Sequence, residues 1–196
     1  MAHPVQPNCY NLAMTRRHLP RRAAAALVPV ILFATACTDS SDADTTERDE
    51  DGAVVEDGQV GVFRLREGDC VRLPAGLREA GREAEDLAEI ADFEAVPCDE
   101  LHDGEVVLVD DEFFADLEEF PGDADSVTQA DAPCIAALDA YTGTEFESSM
   151  FNVVPLVPTS ESWDALDDRG LICIGVTLND ELTAVIDTTG SFRATG

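Results

Sequence analysis

The sequence predicts an α+β domain: a small antiparallel sheet packed on one main helix, stapled by two disulfides and exported to a membrane surface. Short apolar–polar alternations separated by turn residues recur through residues 59–187, with a capped helical stretch among them. Four cysteines, Cys70, Cys98, Cys134 and Cys173, are spread through the same region. An export signal precedes it.

That signal is a basic stretch (Arg16, Arg17, Arg21, Arg22), an apolar run over 23–36, and small residues leading into Cys37. The run is shorter than the roughly 20 residues a spanning helix needs. Ala34-Thr35-Ala36-Cys37 resembles the bacterial lipobox, which implies that the Cys37 thiol takes a diacylglyceryl group and begins the mature chain. Met14 reads as the initiator, because a compact basic region starts there and 1–13 have no signal character. Residues 1–36 are thus expected as signal peptide, 37–58 as a lipidated acidic linker and 59–196 as the folded domain. The expected location is the extracytoplasmic face of the cell membrane.

All 41 acidic residues follow Cys37, whereas four of the 12 basic ones precede it. Past the anchor, 8 basic residues stand against 41 acids, a net charge of −33. Such a field excludes nucleic acid as a partner and opposes an anionic lipid surface. A lipid anchor followed by a Ser, Thr, Asp and Glu spacer suits that repulsion.

Cys9 lies before the expected start and Cys37 is taken by the anchor, so four cysteines remain in an oxidising setting. An even number implies two disulfides, with three connectivities open. Pairing in sequence order, Cys70 with Cys98 and Cys134 with Cys173, is the expected one, each loop contributing roughly 3.5–4 kcal/mol. A zinc site would want a close C-x-x-C pair, which the spacing lacks.

Taken in order, residues 59–65 alternate as a strand, and Glu67-Gly68-Asp69 turns the chain before Cys70. Leu77, Ala80, Ala84, Leu87, Ala88 and Ala91 recur at helical spacing, an amphipathic surface helix. Residues 93–97 and 105–109 are short strands around Cys98. Asp131 reads as the N-cap of the main helix, with Pro133 in its first turn, Cys134, Leu138 and Tyr141 on its buried face, and Gly143 at its end. Residues 151–157 form a strand that Pro155 confines to an edge or a bulge. Residues 171–178 form another, with Ile172, Ile174 and Val176 on one face, and Asn179-Asp180 turns it into a terminal hairpin. The acidic stretches 110–119 and 123–125 read as solvated loops.

Gly68-Asp69-Cys70-Val71, then Val96-Pro97-Cys98 through His102 to Glu105-Val106, resemble the septum formation family of high-GC Gram-positive bacteria, whose pattern runs G-D-C, V-x-C-x-x-P-H-x-x-E-V. Cys134, Tyr141 and Gly143 fit that family's central helix. Pro158-Thr159 with Ser162-Trp163, Asp168-Arg169 with Cys173, and Thr189-Gly190-Ser191 match its later elements. Here Leu101 stands at the family's proline, and Asp167 at a glycine before the Asp-Arg pair. The resemblance covers about residues 59–193. It implies an extracytoplasmic, membrane-attached domain linked to cell division or envelope assembly.

The residues themselves give little chemistry. Past Cys37 the one histidine is His102, so a His-rich metal site is excluded and any Ser-His-Asp arrangement must use it. No phosphate loop, dinucleotide fingerprint, nucleophile elbow or calcium loop is present. No catalytic residue, metal or cofactor is therefore assigned. His102 with Glu105, and Trp163 with Arg169 by stacking, are the candidate recognition residues. The expected function is non-catalytic binding of a protein or envelope partner. An envelope hydrolase using Asp or Glu, and a lipoprotein binding a small ligand or cation, are the alternatives.

Overall fold

The structure is a computed structural model and describes residues 44–74, 77–78 and 92–194. The signal segment, Cys37 and the expected helix over 77–91, apart from Leu77 and Arg78, lie outside the described residues.

The described chain opens on a two-stranded ribbon, β1 (Glu47–Arg48) and β2 (Val54–Glu56). Residues 44–58 were expected as spacer, yet they carry this ribbon and pack on the domain. Two residues hold them there. Val54 joins the apolar core, and the Arg48 guanidinium forms a fork on buried Asp69, with contacts of 2.5 and 2.9 Å. The hydrogen bond to Asp69 raises the Arg48 pKa above its ordinary value. One ion pair and one valine outweigh the polar composition of the stretch.

Six further strands form one sheet: β3 (Gly58–Gly61), β4 (Cys70–Arg72), β5 (Asp92–Val96), β6 (Gly104–Asp110), β7 (Phe151–Leu156) and β8 (Leu171–Thr177). Their spatial order is β3-β5-β4-β6-β8-β7, and every neighbouring pair is antiparallel. The class is α+β, as expected. The sheet is larger than expected, and two described helices accompany it.

The longer helix is α1 (Asp123–Thr142). It begins eight residues before Asp131, so Asp123 and Asp125 lie in its first turn and not in a solvated loop. Gly122 is its N-cap, Asp131 lies within it, and Pro133 is an interior residue that cannot donate to the carbonyl of Gln129. The acids of the first turn offset this by facing the positive end of the helix dipole. Ala130, Cys134, Leu138 and Tyr141 are buried, and Gly143 ends the helix in a left-handed conformation, φ 68°. Gly175 of β8 lets α1 approach, because a Cβ there would stand 3.0 Å from Leu138 and 3.1 Å from Val107.

The sheet is buried on both faces. One carries Val60, Val71, Phe93, Val106, Ile174 and Val176, and the other packs Val107, Leu171 and Cys173 against α1. The single alternating face expected for β8 is therefore incomplete: as an interior strand it buries Leu171 and Cys173 as well. A bulge in β6 between Val106 and Leu108 shifts the register. It places Val109 opposite Ile172, which in turn faces Leu156. Pro155 lies on edge strand β7, as its missing N–H requires.

The strand expected over 59–65 stops at Gly61, and residues Val62–Arg64 make a 3₁₀ turn. The terminal hairpin is reduced to a bridge between Leu178 and Val185. Both disulfides pair in sequence order: Cα atoms are 5.2 Å apart for Cys70–Cys98 and 5.4 Å for Cys134–Cys173. The second staples α1 to β8. Among the described residues no helix is long and apolar enough to cross a membrane.

Candidate functional site

The expected recognition residues fall into two separate places. His102 and Glu105 belong to a closed cluster beneath α1. The His102 backbone bridges to Thr188, donating at 3.0 Å and accepting at 2.7 Å. Its ring is buried, and Nδ1 lies 2.9 Å from the Glu100 carbonyl, so Nδ1 carries the proton and donates. His102 and Glu105 do not share a helical turn, since Glu105 lies on β6.

Glu105 is fully buried. Its Oε1 accepts from the Tyr141 hydroxyl at 2.5 Å and from the Ser191 hydroxyl at 2.6 Å, and its Oε2 accepts from the Phe192 amide. The Tyr141 hydroxyl is held by burial first and by this carboxylate second, which push its pKa up to about 12. Arg193 covers the Tyr141 ring with its Cζ 4.2 Å from the centroid. The cluster thus fastens the C-terminal segment to β6 and α1. The neighbouring Gly190 amide adds a bond to the Cys98 carbonyl at 2.6 Å.

The family-like motifs converge here. Gly68-Asp69-Cys70 supplies the Arg48 anchor and one half-cystine, residues 96–106 supply Cys98, His102 and Glu105, and 189–191 supply the returning hydroxyl. The Sγ atoms of Cys70 and Cys98 and a Glu105 oxygen lie within 4.8 Å of one another. With the sulfurs joined and both Glu105 oxygens accepting, this is a structural junction and not a metal centre.

Trp163 and Arg169 form the second place, and they stack as expected: Arg169 Cζ is 3.5 Å from the Trp163 ring centroid. Trp163 lies on the short helix α2 (Ser160–Leu166), which the periodicity did not reveal. Its start is a capping box, with Thr159 accepting from the Ser162 amide at 3.1 Å and Ser162 Oγ accepting from the Thr159 amide at 3.0 Å. Arg169 also donates to the Trp163 carbonyl at 3.2 Å and pairs with Asp167 at 3.1 Å. Trp163 is buried, and Phe114 and Phe120 pack near it with centroids 6.4 and 5.6 Å away. These two rings hold the acidic stretch 110–119, expected as a solvated loop, against the domain.

Beside α2 runs an open apolar groove of about 730 Å³. Val109, Ile172 and Leu156, aligned across β6, β8 and β7, form its floor. The turn bearing Val62 and Phe63 makes one wall, and Ala165 and Leu166 of α2 make the other. Phe63 and Leu166 are 60% and 64% exposed, large apolar side chains left in water at the lips. Asp111, Asp123, Glu161, Asp167 and Asp168 also line it, against one basic lining residue, Arg169. Sequence reading missed this groove because its residues come from four distant segments. The exposed Phe63 and Leu166 follow no periodic pattern that would have marked them.

The sheet edges offer an added strand few free amide donors. On β7 the Phe151 amide donates to Ser149 Oγ at 3.2 Å and the Val153 amide to Asn152 Oδ1 at 2.7 Å, and Pro155 has no amide hydrogen. On β3, Thr45 brackets Gln59 with two bonds of 2.9 Å.

The molecule is thus a disulfide-stapled α+β module with a closed polar fastener and an open apolar groove. A family model described as septum formation matches residues 80–195, more than half of the chain, and the chain belongs to the septum formation family. No curated protein and no solved structure matches it.

Proposed function

We propose that this chain is a lipid-anchored, extracytoplasmic lipoprotein whose domain binds a protein or envelope partner without catalysis, in the service of envelope or septum assembly. The observation that carries the binding reading is the groove beside α2, where Phe63 and Leu166 stand in water above an apolar floor. Most of the described groups suited to chemistry are shut in or paired, although His102 Nε2 has no hydrogen-bond partner. His102 is buried with Nδ1 committed, Glu105 accepts three hydrogen bonds, and the four cysteines are paired. Family membership supports the envelope setting, and the Ala-Thr-Ala-Cys37 sequence supports the anchor.

Two experiments test this. A clickable fatty acid should label the wild-type protein in cells and fail to label Cys37→Ser; equal labelling would remove the anchor. The purified chain should release no soluble fragments from cell-wall material. Release that an Asp→Asn or Glu→Gln change abolishes, with folding unchanged, would establish the hydrolase alternative instead.

A further inference from the structure

We infer that the groove beside α2 receives a cationic amphipathic peptide segment, one that presents large apolar side chains between Lys or Arg residues. This rests on the reading of the domain as a binding module and names the chemistry of its partner. The floor of Val109, Ile172 and Leu156 and the lips Phe63 and Leu166 call for apolar side chains. Removing such side chains from water supplies the attraction.

Charge decides which apolar occupant fits. Asp111, Asp123, Glu161 and Asp167 are exposed around the groove. Arg169, the basic residue of the lining, is already stacked on Trp163 and paired with Asp167. An anionic lipid headgroup is repelled there. So is a second copy of this chain, at −33 past Cys37. A basic segment is attracted, and its cations take up positions on the rim while its apolar residues fill the floor. The occupied amides of β7 and of Gln59 on β3 disfavour strand addition and favour the groove as the mode of capture.

The test is a titration of the full chain in detergent, at physiological salt, with a labelled 12-residue peptide of Leu, Phe, Lys and Arg. A control peptide keeps the charges and replaces Leu and Phe with Ser. Trp163, the one tryptophan of the chain, stacks on the groove residue Arg169 and reports occupancy through its emission. The first peptide should bind about tenfold more tightly than the control, shift Trp163 emission, and lose about tenfold in Phe63→Ser/Leu166→Ser. These lips are exposed, so the double variant keeps its fold, checked by denaturation. Equal binding of both peptides would reduce the effect to diffuse charge attraction. Unchanged binding by the double variant would move the site elsewhere while leaving the domain a binder, and no binding by either peptide would refute the cationic partner. Occupation by a fluorescent fatty acid that the peptide fails to displace would assign the groove to an acyl chain. None of these outcomes touches fatty-acid labelling at Cys37 or the wall-release assay, so failure here and failure of the wider reading are told apart.

Discussion

The surroundings of Glu105 and of Leu166 invert each other. Around Glu105, polar groups are buried and each oxygen of the carboxylate is used; around Leu166, apolar groups are exposed and carboxylates face water. Family-like motif residues occur at both places, Glu105 at one and Thr159, Ser162 and Arg169 at the other, so motif membership alone does not separate fastening from recognition. The physical difference does. A buried acceptor with three donors has nothing left to offer a ligand, whereas exposed apolar surface lowers its free energy only when something covers it.

The largest expected effects are losses of stability around Glu105 and Asp69. Glu105→Ala leaves the Tyr141 and Ser191 hydroxyls and the Phe192 amide without their acceptor. Denaturant unfolding of the full chain should show a loss of about 4 kcal/mol. Asp69→Ala, which strands the Arg48 guanidinium, should cost about 3 kcal/mol in the same measurement. A loss below about 1 kcal/mol at either site would mean that the cluster is not a fastener.

Tyr141 makes the stability of the buried cluster depend on pH. Its reference pKa is 10.0 and its folded value is about 12, so the folded state holds the proton more tightly. The contribution of this group to stability is fully present below about pH 10 and is lost as pH rises toward about 12. A spectrophotometric titration should show a phenolate step near pH 12 that Tyr141→Phe removes. A single step at the ordinary tyrosine range, with the protein still folded, would contradict the burial of this hydroxyl.

The disulfides and the Trp163–Arg169 stack were legible in the sequence, whereas the partners of Glu105 and most of the groove were not. Four cysteines behind an expected export signal implied two crosslinks, Pro155 implied an edge or a bulge, and Trp163 with Arg169 implied a stack; each is a local rule that burial does not override. The start of α1 was misplaced because Asp131-Ala-Pro133 imitates a cap followed by a first-turn proline, while the true start at Gly122 has no side-chain cap to read. The ribbon over 47–56 was hidden because Arg48 and Val54 are two anchors in an otherwise acidic stretch. Helix α2 is too short for a period to show, although its Thr159 and Ser162 cap was present in the motif. The groove depends on the β6 bulge that brings Val109 into line with Ile172 and Leu156, and register is invisible until the strands are paired.

On the groove side the effects on stability are small. Asp167, which replaces the family's glycine, ends α2 with φ at 55°, a left-handed conformation that costs an L residue energy. Asp167→Gly should stabilise the chain by about 0.5–1 kcal/mol despite losing an exposed ion pair to Arg169. Smaller still, Phe63→Ser or Leu166→Ser should change stability by less than about 0.5 kcal/mol, because both side chains are already in water. A loss of several kcal/mol would make the lips part of the core.

Site-specific photocrosslinking in cells tests the division between fastener and groove most directly. A photoreactive residue is placed in turn at Phe63, Leu166, Leu101 and Leu182, all large apolar positions at least 58% exposed. The account predicts one common crosslinked partner at Phe63 and Leu166 and none at Leu101 or Leu182. Crosslinks confined to Leu101 or Leu182, with the groove positions silent, would contradict it.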